Sequence, residues 1–155
     1  METNHQLLKM YKNLIQTTQI QECYQYIMKL IHDIYTILKN DLNTFQFCNK
    51  VIENNMNFSY FQLTNPQLKK QGLKIQIIFI HQSCQFEVWL SGYNRQIQQQ
   101  YYQKLNSKCP FQLCENPQKN DYIMKRPLMK DITVDNIQDI IEEIKLTIKN
   151  IENLL

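Results

Sequence analysis

Small residues are scarce in this sequence, which has two glycines and no alanine among its 155 residues. Phosphate-binding loops and dinucleotide-binding fingerprints need several closely spaced glycines, so both are excluded. The two glycines, Gly72 and Gly92, instead flank the stretch that contains the only tryptophan, Trp89. This stretch therefore organises the predicted fold.

Long apolar runs are absent as well. The longest, Ile77–Ile80, is far too short to span a bilayer, and the N-terminal residues lack the apolar segment of a secretion signal. The five cysteines are irregularly spaced, and in a chain without an export signal this pattern is typical of reduced thiols. We therefore expect a cytoplasmic protein with no membrane contact.

Neither positive nor negative charges are in large excess in the sequence. The formal net charge is +3 and the charged residues are dispersed, so a nucleic-acid partner is not expected. A modest basic segment with Lys119, Lys125, Arg126 and Lys130 could contact a phosphate backbone together with Tyr122. We interpret this segment as a solvated loop.

The stretch between the glycines has the period of a β-hairpin. Every second residue from Leu73 to Ile80 is apolar, and the alternation resumes from Phe86 to Leu90 after a short polar segment. This pattern predicts two antiparallel strands with one apolar face in the core. The opposite face mixes polar and apolar residues, namely Lys74, Gln76, Ile78, Ile80, Glu87 and Trp89.

Helical spacing of apolar residues predicts most of the remaining elements. The predicted helices are His5–Gln16, a second helix with a capping box of Thr18 and Gln21 and an apolar stripe from Ile20 to Leu38, a short helix begun by Asn65 and Pro66, Arg95–Leu105 capped by Asn94, and a last helix capped by Thr133 or Asp135. Met56–Leu63 is predicted as a strand, while Phe45–Phe47 and Asp121–Met124 fit a strand or a loop. The sequence thus predicts an α+β fold with one domain over residues 1–155. Its antiparallel sheet of three to four strands would be packed by the N-terminal and C-terminal helices.

The mixed face of the hairpin is the most suggestive place for a site. Glu87 and Trp89 share this face, and Arg95 opens the helix that follows, so a carboxylate, an indole and a guanidinium come near each other. Together with Tyr60 and Asn94, these residues form the predicted binding site. The alternative is structural: a Glu87–Arg95 ion pair that shields a packed Trp89.

Other reactive side chains give weaker patterns. His81 and Cys84 could form an activated thiolate, but a hairpin turn seldom supplies the electropositive pocket that such a thiolate needs. Cys109 and Cys114 have no second pair that would complete a zinc site. A Glu-x-Lys motif of the nuclease type occurs only in the C-terminal helix. We therefore predict no catalytic residues, no metal and no cofactor.

The central part of the chain resembles a known family. Its motifs are Tyr60-Phe61, Asn65-Pro66, Gly72-Leu73-Lys74, Phe86-Glu87-Val88-Trp89-Leu90 and Gly92 with Asn94-Arg95, and the most specific piece is FEVWLSGYNRQIQ. This order resembles a bacterial domain family of unknown function whose members are small single-domain proteins. The resemblance supports the predicted fold and implies no reaction and no catalytic residues.

The predicted function is that of a non-catalytic binding module. Its binding surface would be the hairpin face around Trp89 and Arg95, and its partner another protein or a second copy of the chain. This prediction depends on an exposed apolar patch that includes Ile78 and Ile80. The alternative is an enzyme or nucleic-acid-processing protein with a polar site around Glu87 and Arg95, which a pocket with convergent polar groups would favour.

Overall fold

A computed structural model describes residues 3–48, 50–105, 109–128 and 130–155. The helices are α1 (Asn4–Thr17), α2 (Ile20–Asp41), α3 (Pro66–Lys70), α4 (Arg95–Leu105) and α5 (Ile137–Leu154). The strands are β1 (Gln46–Phe47), β2 (Ile52–Asn54), β3 (Phe58–Thr64), β4 (Leu73–Ile80), β5 (Gln85–Gly92), β6 (Gln112–Leu113) and β7 (Met124–Pro127). They form one antiparallel sheet in the order β1-β3-β4-β5-β7-β6, with β2 also paired to β3.

The central hairpin is confirmed. β4 and β5 pair from Leu73 opposite Gly92 to Ile80 opposite Gln85. Phe79, Phe86 and Val88 are buried, as the alternation predicted. The α+β class and the antiparallel sheet are therefore correct.

The predicted number of strands is wrong, since the sheet of the described residues has seven strands instead of three to four. The additional strands β1, β2, β6 and β7 have two to four residues each. Strands this short carry no readable alternation, and their pairing with neighbouring strands defines them. Of the two segments that fit a strand or a loop, Phe45–Phe47 contains β1 (Gln46–Phe47), whereas Asp121–Met124 contributes only its last residue to β7 (Met124–Pro127).

The core lies on one face of the sheet, beneath α2 and α5. Helix α2 contacts β3 and α5 contacts β5. Their fully buried residues include Ile31, Ile34 and Leu38 from α2 and Ile140, Ile144 and Ile148 from α5, which share one cluster with Phe61, Ile75, Phe79 and Val88. Tyr60, Ile78 and Trp89 lie outside this cluster because they point to the opposite side, which we call the outer face.

Two asparagine side chains cap helices at one end of the outer face. The Asn65 side chain accepts a 2.8 Å hydrogen bond from Leu68 N and begins α3. The Asn94 side chain accepts a 2.9 Å bond from Ile97 N and begins α4 directly after β5. Both caps were predicted. Arg95, the first residue of α4, therefore lies where β5 ends.

Helix α1 has the predicted apolar stripe but contributes no buried residue. It contacts α2, yet Leu8 is 68% and Tyr11 66% exposed. Its capping box is formed by Thr3 and Gln6, a pair that the sequence analysis did not single out. Within the described residues, no helix combines the length and apolar character needed to cross a membrane.

Candidate functional site

Side chains of four neighbouring strands meet on the outer face in two cross-strand rows. The first row is Gln62, Gln76, Trp89 and Lys125, and the second is Tyr60, Ile78, Glu87 and Pro127. The β3 and β4 residues of these rows, Trp89 and adjoining loops border a cavity of about 560 Å³, which we call the outer-face cavity. It is lined by Asn54, Phe58, Tyr60, Gln62, Lys74, Gln76, Ile78, Trp89, Gly92, Tyr93, Asn94, Arg95, Gln98 and Asp121.

A chain of polar side chains runs across the floor of this cavity. Gln62 Nε2 donates to Gln76 Oε1 at 2.9 Å, and Gln76 Nε2 donates to Ser91 Oγ at 2.8 Å. Ser91 Oγ in turn donates to the backbone carbonyl of Asp121 at 2.7 Å. Because each amide nitrogen carries two hydrogens, both glutamines keep a further N–H beyond these bonds. The floor is therefore fixed in position and still able to donate to a ligand.

Trp89 forms an aromatic wall. Its Nε1 donates to Glu87 Oε2 at 2.6 Å, and its ring centroid lies 4.9 Å from that of Tyr122 and 6.4 Å from that of Phe58. Because the indole N–H is already bonded, Trp89 presents apolar ring surface to the cavity. Burial raises the pKa of Tyr122, and negative charges nearby, including that of Glu87, act in the same direction.

Glu87 lies beneath Trp89 and does not line the cavity. It is 7% exposed, and its Oε1 lies 3.5 Å from Lys125 Nζ. The carboxylate thus has a charged partner on β7 and an indole partner on its own strand. A buried carboxylate with two side-chain partners positions both of them, here Trp89 and Lys125.

The end of the cavity near α4 carries the charged residues. Arg95 pairs with Asp121 Oδ1 at 2.7 Å and also donates to the carbonyl of Asn120. Lys74 Nζ lies 5.9 Å above the centre of the Tyr93 ring. Asp121 is the single carboxylate among the described lining residues. This end therefore has one more cation than carboxylates.

The predicted site residues are partly brought together. Tyr60, Trp89, Asn94 and Arg95 line the same cavity, whereas Glu87 lies below it. The alternative Glu87–Arg95 ion pair is not formed, because Glu87 pairs with Lys125 and Arg95 with Asp121. Both partners follow α4 in the chain, in segments whose position the sequence did not predict.

The polar floor is not predicted from the sequence. Gln76 was assigned to the mixed face, but its bonds to Gln62 and Ser91 were not foreseen. The alternation of Gln62 in the pattern of β3 could have indicated that it faces the same side. No local pattern indicates Asp121, which reaches the cavity from a loop.

The expected apolar patch on this face is smaller than predicted. Ile78 is 3% exposed, and Ile80 and Trp89 are half-buried. Ile78 is paired across the sheet with Tyr60 and Glu87 and lies between their strands. The face is thus a recessed, mainly polar cavity with an aromatic wall.

The His81–Cys84 pair does not form a nucleophile. Cys84 Sγ bonds the backbone carbonyl of His81 at 3.4 Å, while His81 Nε2 lies 2.7 Å from Ser59 Oγ. Ser59 is fully buried and so cannot meet a substrate. Burial lowers the pKa of His81, against the opposing effect of the Glu53 charge.

The described residues contain no cluster of three or more His, Cys, Asp or Glu side chains that could hold a metal ion. Cys109 Sγ instead contacts Met124 Sδ at 3.3 Å. Cys114 is buried, and burial raises the pKa of its thiol. Both cysteines therefore pack as small apolar side chains.

Comparison with known proteins places the chain in a family. No curated protein and no solved structure matches it. A family model described as "Domain of unknown function (DUF7000)" matches residues 4–155. The match covers nearly the whole chain, including every described helix and strand. The chain therefore belongs to the DUF7000 family, a family of unknown function.

Proposed function

We propose that this protein is a non-catalytic binding domain that holds a small organic ligand in the outer-face cavity. The observation that carries the proposal is the hydrogen-bonded floor formed by Gln62 and Gln76, which the buried Ser91 holds in place. Fixed polar groups in a concave site give a ligand its orientation at little entropic cost. The volume of about 560 Å³ lies in the usual range for small-molecule sites, about 300–1,000 Å³.

The shape of the site favours a small ligand over the protein partner or second copy expected from the sequence. A docking surface for a protein usually exposes apolar area, but Ile78 in the middle of the face is 3% exposed. A flat partner that covers the recess would remove water from the floor amides without bonding them, which costs free energy. A ligand that enters the recess can bond them.

Both charged groups of the alternative enzyme site are engaged by other side chains. General acid–base chemistry needs a titratable group within hydrogen-bond reach of the substrate. Arg95 pairs with the carboxylate of Asp121, and the carboxylate of Glu87 lies beneath Trp89. This arrangement counts against the alternative enzyme site at Glu87 and Arg95. The free thiols among the described residues support our proposal that the protein works in a reducing compartment, the cytoplasm.

Trp89 makes the proposal directly testable. It is the only tryptophan and lines the cavity, so its fluorescence reports on this site in the unmodified protein. We expect members of a diverse small-molecule panel to change the emission of Trp89 and to shift the amide NMR signals of cavity residues. Hits that map elsewhere, or a panel without hits, would contradict the proposal.

A matched pair of variants localises the binding. Gln62→Leu removes an amide from the floor, while Gln99→Leu makes the same change on the exposed side of α4. Because a hydrogen bond contributes about 1 kcal/mol, we expect Gln62→Leu to lower the affinity for the compounds that bind by about 5-fold or more. Gln99→Leu should leave their affinity unchanged. Mass spectrometry of the incubated ligands should find them unaltered, and a new product would favour the enzyme alternative.

A further inference from the structure

The outer-face cavity changes in character along its strands. Lys74 lies opposite Ser91, Gln76 lies opposite Trp89, and Ile78 lies opposite Glu87 in three successive rows on this face. Rows on one face are two residues apart, which is about 7 Å in an antiparallel sheet. A ligand that follows β4 from Lys74 to Ile78 therefore crosses three environments over about 13 Å.

The first environment is cationic. Lys74 has no carboxylate within ion-pair distance among the described residues, and it lies above the Tyr93 ring. Arg95 lies at the same end, and Asp121 balances only one of the two positive charges. This end attracts an anion.

The second environment is made of amides and the third is apolar. Gln62 and Gln76 occupy the middle row, where each amide nitrogen keeps one N–H for an acceptor. Beyond them lie Ile78, the ring of Tyr60 and, at the next row, Phe58. Among the described residues, the only other one that lines this end is the neutral Asn54.

From this gradient we infer that the ligand is an amphiphilic organic acid. Its carboxylate or phosphate would lie between Lys74 and Arg95, and its polar linkage would accept hydrogen bonds from Gln62 and Gln76. Its aromatic or aliphatic end would pack against Trp89 and Phe58. This inference rests on the proposed function of the outer-face cavity and names the chemical class that the cavity binds.

A matched set of compounds tests the inference. 2-Naphthoylglycine has an aromatic ring, an amide and a carboxylate in line, and 2-naphthoylglycinamide has the same ring and amide without the charge. We expect calorimetry at low salt to give at least about 10-fold tighter binding for the acid, because the cationic end attracts its carboxylate. 2-Naphthyl phosphate has the ring and an anionic group without the amide, and we expect it to bind more weakly than 2-naphthoylglycine, because it cannot accept the hydrogen bonds of Gln62 and Gln76 through an amide carbonyl.

Two charge variants locate the acid group. Lys74→Gln should remove most of the preference for the acid, whereas Lys149→Gln, on the exposed side of α5, should retain it. If circular dichroism finds Lys74→Gln misfolded, the exposed Arg95→Gln gives the same test. The variant Arg95→Gln also leaves Asp121 unpaired, so its loss of acid binding should be larger.

The possible failures are distinguishable. Equal binding of the acid and the neutral amide in the cavity would overturn the acid class and leave the binding function standing. The same holds if the naphthoyl compounds fail while other members of the panel bind there. If no compound of either set perturbs Trp89 or the cavity signals, the binding function itself is overturned, and the inference with it.

Discussion

The indole nitrogen of Trp89 donates a 2.6 Å hydrogen bond to the carboxylate of Glu87, two residues earlier on the same face of β5. The bond fixes the plane of the indole, and Lys125 holds the other carboxylate oxygen at 3.5 Å. A residue that does not line the cavity thus sets the orientation of one that does.

Replacement of Glu87 should separate the roles of its charge and of its hydrogen bond. Hydrogen bonds to charged groups contribute about 1.5–3 kcal/mol, so we expect Glu87→Ala to lower the free energy of unfolding by about that amount. Glu87→Gln keeps an acceptor for the indole and should cost less. Urea denaturation measures both changes, and Trp89 emission should shift to longer wavelength in Glu87→Ala alone.

Glu142 provides the control for this pair of variants. It is exposed and its Oε1 lies 3.1 Å from Lys145 Nζ. Exposed ion pairs contribute little, so Glu142→Ala should change the free energy of unfolding by about 0.5 kcal/mol or less. If Glu87→Ala and Glu87→Gln lowered the free energy of unfolding equally and Trp89 emission were unchanged in both, the indole hydrogen bond would not orient Trp89.

The two glycines should respond differently to asparagine. Gly72 has φ +70°, a conformation that asparagine tolerates better than alanine does, and an added Cβ there would meet only the movable end of the Ile97 side chain, at Cδ1. Gly92 has no positive φ, but an added Cβ would lie 2.9 Å from the backbone nitrogen of Gln98. We expect Gly72→Ala to cost about 1–2 kcal/mol and Gly72→Asn to cost less, whereas Gly92→Asn should be no better than Gly92→Ala.

Thermal unfolding of the four glycine variants measures this contrast. The Gly92 variants should also weaken ligand binding, because α4 must move and Arg95 moves with it. A Gly92→Ala protein with unchanged stability and an unchanged cavity spectrum would show that the contact is not tight.

His81 should make stability depend on pH. Burial lowers its pKa below the ordinary value of 6.5, so the unfolded chain takes up a proton more readily than the folded protein does. Neutral His81 therefore makes its full contribution to the stability of the fold above pH 6.5, and this contribution is lost as the pH falls below 6.5. We therefore expect the free energy of unfolding to decrease as the pH is lowered from 7 to 5.5.

The variants His81→Gln and His32→Gln test this dependence. His32 lies exposed on α2, whereas His81 contacts the rings of Tyr24 and Phe79. The slope of stability against pH should flatten in His81→Gln and persist in His32→Gln. The slope is the diagnostic quantity, because His81→Gln also loses packing. An unchanged slope in His81→Gln would assign the pH dependence to other groups.

Leucines of α1 and α2 should differ in their contribution to stability. Leu38 is fully buried in α2, and Leu7 on α1 is 51% exposed. Leu38→Ala should cost about 2–5 kcal/mol, while Leu7→Ala should stay within about 0.5 kcal/mol. Denaturation curves of both variants provide the comparison, and a large loss in Leu7→Ala would mean that something in solution covers α1.

Much of the fold could be predicted from local patterns. The alternation of β4 and β5 comes from one buried face, and the starts of α3 and α4 follow from side chains that cap helices within three residues. In each case the cause and the effect lie close together in the sequence. The capping box expected at Thr18 is an exception, because α2 begins without a side-chain cap.

The rest depended on contacts between distant residues. β7 is defined by its register with β5, which places Lys125 opposite Trp89 and beside Glu87. Arg95 finds its carboxylate at Asp121, in a loop that the sequence leaves unplaced. Four of the predicted site residues therefore line one cavity, but the ion-pair partners of Glu87 and Arg95 differ from those expected, since pairing across a sheet is a property of the assembled fold.

The margins of the sheet are narrow. β1 and β2 on one side and β6 on the other have two or three residues each, so few backbone groups point outward from the sheet. These short edge strands offer few backbone groups with which a strand of another molecule could pair. A chain rich in isoleucine, glutamine and asparagine thereby keeps its hydrogen-bonding capacity within one molecule, which opposes fibrous growth.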